Sequence, residues 1–319
     1  MVFSNPFDLS LAVRIKYDER NEKRMIYTLT FNPAIDYVMR IDRLEWGETN
    51  RSSSEEIYFG GKGINVSVIL ANLGIETTAL GFVVGFTGEA LDSAVSAQGV
   101  RTDFIRLSGG NTRINVKLKS DKETEINAQG PAITDADIAK LYEKLEVLQE
   151  GDTLVLAGSV PGMLPQNIYE EILSRLNGRR IRFVVDATGA LLTNVLKYHP
   201  FLIKPNRAEL EEICGRKLHT DEEIASAAGE LRSRGAVNVL VSMGGDGALL
   251  VDEHGDVHRK HAIAGKVINT VGSGDSMVAG FLAGVEKGYE YALSLGSAAG
   301  SATAFSPGLA TKEDIMALL

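Results

Sequence analysis

Seven consecutive residues, Asn269-Thr270-Val271-Gly272-Ser273-Gly274-Asp275, concentrate more chemical potential than any other stretch of the chain. They lead into Ser276-Met277-Val278-Ala279-Gly280-Phe281-Leu282-Ala283-Gly284, an apolar helical run whose Gly280 and Gly284 lie one turn apart, suited to close packing against a sheet. A buried helix that begins at a glycine loop presents amides with no internal acceptor. Together with the helix dipole they form an anion site of the kind that holds phosphates. Gly272 and Gly274 would let those amides approach an oxyanion unobstructed. Asp275 is the odd member, because a carboxylate beside a bound anion opposes it unless it takes up a proton there. That is the position of a general base next to a phosphoryl acceptor. Aspartate at a helix start is also a favoured N-cap, and the residues alone leave both roles open.

A second glycine cluster, Gly60-Gly61-Lys62-Gly63-Ile64-Asn65-Val66, again precedes an apolar helix. Lys62 adds a point charge, and Asn65 offers a donor and an acceptor for a hydroxyl; the plain alternative is a turn. Upstream, Asn32-Pro33-Ala34-Ile35-Asp36 follows a strand, placing Asp36 where it either accepts bonds from two neighbouring sugar hydroxyls or stabilises a turn. Lys204-Pro205-Asn206-Arg207-Ala208-Glu209 runs from strand to helix with the spacing of a capping box, yet Asn206 and Glu209 also stand where they could orient Mg²⁺ and its waters. The loop Ser242-Met243-Gly244-Gly245-Asp246-Gly247 either lines a nucleotide pocket or is a tight turn.

Several chemistries are disfavoured. The glycine spacing of a dinucleotide fold and the P-loop signature are both absent. Ser159, in Gly158-Ser159-Val160-Pro161, lacks the surroundings of a hydrolase nucleophile, which leaves a hydroxyl contact to substrate. His254, His258 and His261 have no cysteine partner at ligand spacing, and the first two flank Gly255-Asp256 in a presumptive hairpin rather than a metal site.

Positioning these residues requires a parallel sheet covered by helices. Apolar runs at 78–83, 153–157, 183–186, 201–204, 237–242 and 248–252 alternate with helical stretches at 63–73, 135–148, 164–176, 208–214 and 222–234. Two segments break the rhythm, 36–59 and 112–129; in the second, Arg-Ile-Asn-Val-Lys-Leu-Lys alternates as a half-buried strand does. They are expected to form a small β lid over a core made of 25–35, 60–111 and 130–319. Residues 1–24 look detached from this pattern, because Met25 opens a clean strand, and they read as a leader, disordered or added. With 319 residues, 44% hydrophobic and 24% charged, the composition is that of a globular α/β protein. A formal charge of −9 argues against nucleic acid and anionic membrane as partners. The single cysteine, Cys214, and the lack of a signal-peptide core fit a cytoplasmic location.

Taken together, the 60–66 cluster, the Asn206-x-x-Glu209 pair and Thr270-Val271-Gly272-Ser273-Gly274-Asp275 resemble, in order and separation, the ribokinase-like carbohydrate kinases of the PfkB type, from Met25 to about Leu319. That resemblance implies a doubly wound, mostly parallel sheet with a β-sheet lid. It implies ATP and Mg²⁺ as cofactors and Asp275 as the base. Gly272, Ser273 and Gly274 would stabilise the transferred group, Ser273 replacing the usual alanine. Asn206 and Glu209 would organise Mg²⁺ through water, Lys204 would neutralise phosphate, and Ser242, Gly244 and Gly247 would face the nucleotide. Asp36, Gly61 and Asn65 would hold the sugar, with Lys62, Arg113 and either Arg51 or Ser159 near its existing phosphate. Asn32 to Asp36, the Gly-Gly-Lys-Gly-Ile-Asn run and Arg113 are similar to the sugar-phosphate branch. The expected acceptor is the C6 hydroxyl of fructose 1-phosphate, with tagatose 6-phosphate or fructose 6-phosphate as alternatives, in a homodimer paired through its lids.

Overall fold

The computed structural model describes residues 24–319, so the leader expected at 1–24 lies, up to residue 23, outside the described residues. A ten-stranded sheet forms the centre. Its order across the sheet is Val257–Lys260, Ala248–Val251, Asn238–Ser242, Leu202–Ile203, Arg182–Asp186, Thr153–Ala157, Ile26–Thr30, Thr77–Val83 and Arg101–Thr102, with Ile105–Arg106 also pairing to Thr77–Val83. All pairs are parallel except the two that join Asn238–Ser242, Ala248–Val251 and Val257–Lys260. The middle strands carry near-continuous apolar runs such as Thr153–Ala157 and Thr77–Val83, buried at every position, because helices cover both faces. One large core packs the helices Asp135–Leu145, Ile168–Leu176 and Asp221–Ser233 on one side. The other holds Lys62–Asn72, Ser273–Gly284 and Tyr289–Ala304.

The helix-covered parallel sheet expected from the alternation is therefore observed, in the doubly wound form that the resemblance implied. Two helix boundaries differ from the sequence pattern. The helix expected over 164–176 starts only at Ile168, because the preceding residues form turns in which Leu164 N donates to Pro161 O and Ile168 N to Pro165 O. The helix expected over 135–148 ends at Leu145, after which Leu148 closes a tight turn.

A second sheet of four strands runs in the order Ser54–Gly60, Ala34–Arg40, Arg113–Lys119 and Thr124–Ile126. Ala34–Arg40 pairs with Arg113–Lys119 in parallel, while the outer pairs are antiparallel. Segments far apart in sequence thus meet beside the carboxyl ends of the main strands.

Gly280 and Gly284 pack against a helix, which corrects the expectation that their face meets the sheet. A Cβ at Gly280 would stand 2.6 Å from Leu295 O and 2.8 Å from Gly296 Cα, and one at Gly284 would stand 2.9 Å from Ala292 Cα. The Tyr289–Ala304 helix is itself rich in Ala, Gly and Ser, so the two backbones approach closely. This contact fixes the helix whose amino end carries Asp275. Gly280→Ala should cost about 1–3 kcal/mol of stability. The control is Gly229→Ala, whose added methyl meets nothing within 4 Å and should leave stability equal or slightly higher. Urea unfolding of both variants checks this, and equal midpoints would mean the helix pair is not closely locked.

Candidate active site

Two cavities of about 580 Å³ each open beside the carboxyl ends of the strands and share Ser242, Thr270 and Gly274 in their walls. The first is polar and gathers residues just past the strand ends, among them Ser159, Asp186, Lys204 and Asn206, together with Gly61, Lys62 and Asn65 from the second glycine cluster. Asp36, Asn115 and Arg113 enter from the second sheet, and Glu209, Gly272 and Asp275 complete the wall. The other cavity is lined by Ser242, Gly244 and Gly247, by Ser273 and Gly274, and by apolar groups including Ile263, Val267, Met277 and Phe305. Every candidate in the sequence reading except Arg51 lies on one of these walls. Arg51 is exposed in the segment before Ser54–Gly60 and lines neither cavity, since nothing in that segment turns it toward the strand ends.

Local sequence explains how the carboxylate reaches the cleft. Gly272 caps the Ser273–Gly284 helix in the left-handed region, φ 81°, a conformation glycine takes without strain. Ser273 N donates to Thr270 O at 3.3 Å and Ser276 N to Gly272 O at 2.8 Å. The amides of Gly274 and Asp275, between them, have no acceptor among the described residues. Asp275 is thus the third residue of the helix and not its cap, which removes the capping alternative. Its carboxylate is 5% exposed and accepts a bond from Asn65 Nδ2 at 2.8 Å. Asn65 is aimed by the start of the Lys62–Asn72 helix, where Gly61, φ 138°, bends the chain and Thr30 Oγ1 accepts from Ile64 N at 3.1 Å.

Beside Asp275 the two expected lysines, Lys62 and Lys204, meet on a buried carboxylate that the sequence reading missed. Asp186, 1% exposed at the end of its strand, stands 3.2 Å from Lys62 Nζ and 3.5 Å from Lys204 Nζ, both measured to Oδ1. The available signal was a carboxylate at the carboxyl end of a parallel strand, where open α/β sheets bind ligands. Burial alone would push Asp186 up, but Lys204 and Lys62 together hold it below the usual carboxylate range. Asp275 goes the other way. Burial, reinforced by the charge of Asp186, raises it to about 6 against the opposing pull of Asn65, Lys62 and Lys204. Two neighbouring carboxyls driven apart in this manner give one permanent anion and one group that exchanges protons near neutrality.

The second sheet positions the rest. Asn115 Nδ2 donates to Asp36 Oδ1 at 2.7 Å while Asn115 Oδ1 accepts from Ala128 N at 3.2 Å, which fixes Asp36 toward the cleft. Arg113 donates to Asn32 O at 3.1 Å and to Ala128 O at 3.2 Å, so its position is set by the backbone. Asn206 and Glu209 form a complete capping box, each bond 2.8 Å. His258 pairs with Asp252 at 2.8 Å across the hairpin, as a structural contact. Among the described residues no group of three or more His, Cys, Asp or Glu could hold a metal by itself.

The description pfkB family carbohydrate kinase matches residues 29–316. The chain is 46% identical to the 1-phosphofructokinase of Bacillus subtilis, covering 92% of this chain and 97% of that one. It belongs to the pfkB family of carbohydrate kinases. The D-tagatose-1-phosphate kinase of Bacillus licheniformis is 38% identical over 89% of this chain and 94% of its own length. Among solved structures, phosphofructokinase-2 of Escherichia coli, in complex with substrates and products, superposes with a TM-score of 0.87 at 29% identity, covering 92% of this chain and 98% of that one.

For a carbohydrate kinase the geometry has a direct chemical content. Unpaired amides at a buried helix start can stabilise a group whose charge is spread over phosphoryl oxygens, and a carboxylate a residue away can accept a hydroxyl proton. Asp275→Asn keeps the shape and removes the carboxylate, so kcat should fall about 10²-fold or more if proton removal is its task. On the reading of Asp275 as proton acceptor the ionised form is the active one, so kcat/KM of the parent should decline as pH drops through about 6. The stability sign is opposite. A carboxyl whose folded pKa is raised holds its proton more tightly in the fold, so the fold weakens as pH rises through that range. Asp275→Asn should therefore leave the melting temperature at pH 7.5 equal or higher. Unchanged kcat with a lower melting temperature would make Asp275 structural.

Proposed function

We propose that this carbohydrate kinase transfers the γ-phosphoryl group of ATP to the C6 hydroxyl of fructose 1-phosphate, giving fructose 1,6-bisphosphate and ADP. The observation that carries this reading is the meeting of two cavities at Gly274, one partly apolar and one polar, with Asp275 at the junction. The nucleotide base and ribose occupy the first, against the Ser242–Gly247 loop, and its phosphates cross at the helix start. The sugar phosphate lies in the second. Asp36 and Asn65 hold its hydroxyls, while Arg113, Lys62 and Ser159 face its 1-phosphate. As the C6 oxygen bonds to the γ-phosphorus, the bond from that phosphorus to the β–γ bridging oxygen breaks, ADP leaves, and the hydroxyl proton passes to Asp275. The amides of Gly274 and Asp275 and the ammonium of Lys204 stabilise the charge in transit.

The donor set also suits Mg²⁺ bound largely by phosphate oxygens and water. Glu209 Oε2 and Asn206 Oδ1 are already engaged in the capping box, so this pair offers the ion no dedicated cage. When bound, the ion would neutralise phosphate charge, with Glu209 and Asn206 orienting its waters.

The acceptor is tested by ADP release with fructose 1-phosphate, tagatose 1-phosphate, fructose 6-phosphate and tagatose 6-phosphate. Fructose 1-phosphate should give the highest kcat/KM. The Bacillus licheniformis relative makes tagatose 1-phosphate the competing substrate, and a higher value there would transfer the assignment to it. Binding of sugar phosphates with no turnover would replace catalysis by sensing.

The second sheet supplies a surface for a second copy of the chain. Ile57, Tyr37, Val116 and Ile126 align across its four strands, on the face opposite the row of Asp36 and Asn115. Ile57 and Ile126 at the two ends are 55% and 58% exposed. A sheet face of this kind is matched by its own symmetric copy. Ile57→Lys with Ile126→Lys should convert a dimer into a monomer in sedimentation velocity. A monomeric parent, or a dimer unaffected by both charges, would refute the pairing.

A further inference from the structure

Asp186 has an unusual accounting for a buried carboxylate. Such groups are ordinarily met by several donors. Here Oδ2 is buried with no hydrogen-bond partner, while Oδ1 alone faces two ammonium groups, at 3.2 Å and 3.5 Å. Those ammoniums come from different parts of the chain: Lys62 opens a helix beside the second sheet, and Lys204 follows the Leu202–Ile203 strand. Lys204 is 5% exposed, and its Nζ lies 3.1 Å from where a Cβ on Gly274 would stand, so it reaches the unpaired amides of the anion hole. Lys62 passes along Gly158 on the other side of the cleft.

We propose that Asp186 is a positioning residue that sets, through one shared oxygen, where both ammonium groups of the cleft stand, Lys62 on the acceptor side and Lys204 at the phosphoryl hole. Without it the two like charges would repel each other, and Lys62, whose side chain is 39% exposed, would swing toward water. The same carboxylate faces Asp275. The other groups acting on Asp275 are Asn65, Lys62 and Lys204, and Glu209 acts on Lys62 from the capping box. Asp186 is the one anion acting directly on Asp275, so it keeps the base receptive to a proton.

This rests on the reading of Asp275 as the base, and the test separates the two. Asp186→Asn should raise KM for both ATP and the sugar phosphate at least about fivefold. It should also shift the acid limb of kcat/KM at least about half a unit to lower pH, because removing a neighbouring negative charge favours ionised Asp275. A residue serving only to hold the fold would change neither. Asp186→Glu keeps the charge but displaces the oxygen by one methylene, so the limb should stay in place while both KM values rise. Parental KM values and limb in Asp186→Asn overturn the proposal. If that variant does not fold, parental KM values in Asp186→Glu overturn it equally. A parent enzyme with no acid limb near pH 6 would count against Asp275 as base, whereas the two KM values would still decide the placing of the lysines.

Discussion

The cleft answers to one constraint: four ionisable side chains, Asp186, Asp275, Lys62 and Lys204, stand close together, the first two and the last buried and Lys62 partly exposed. At 3–4 Å, opposite unit charges attract by about 4–5 kcal/mol at an effective dielectric of 20, a gross value before desolvation is counted. Contact therefore decides which carboxyl stays ionised. Asp186 touches two ammonium groups and is held as an anion. Asp275 touches only a neutral amide, so burial prevails and lifts it to about 6. The pair divides into a fixed counter-charge and a carboxyl that exchanges protons near neutrality.

The fold serves this arrangement by delivering side chains from distant segments to one line of strand ends. Parallel strands put their carboxyl termini on the same edge, and each of Asp186, Lys204, Asn206 and Ser242 lies within a residue or three of such an end. The helix that carries Asp275 could not be inserted there unless another helix accommodated it. Glycine, alanine and serine in Tyr289–Ala304 allow that approach, so the position of the acceptor depends on atoms missing from Gly280 and Gly284. A bulkier pair of helices would lower the anion hole away from the cleft.

Much of this was readable in the chain because glycine and period-two alternation are local signals. The loops at 60–66 and 270–275 announce bare amides before apolar helices, and the strand alternation at Arg113–Lys119 separates Asn115 from its neighbours. What was not readable was the identity of partners. The spacing of Gly280 and Gly284 shows a face that must be approached closely but not whether sheet or helix approaches it. Asp186 ends an unremarkable Val-Val-Asp strand, and its importance arises from two lysines at separations of 124 and 18 residues. Arg51 shows the limit of such reading: it was an alternative to Ser159, and in a segment that joins the site at both ends it lies exposed on neither cavity wall, whereas Ser159 lines one.

The two sheets contribute different groups to the cleft. Main-sheet loops hold the amides at Gly274 and Asp275, Lys204 and the capping box, the groups that the proposed phosphoryl transfer would use whatever the acceptor. The second sheet adds Asp36, Asn115 and Arg113 to the cleft wall, beside Lys62, Asn65 and Ser159 from the main body, and it does so on strands that pair with each other rather than with the main sheet. Changes there can alter which sugar is held without disturbing the charge balance around Asp186. On the proposed function, such changes would alter acceptor choice while Asp275 keeps its setting, because none of the groups that act on it, Asp186, Asn65, Lys62 and Lys204, belongs to the second sheet.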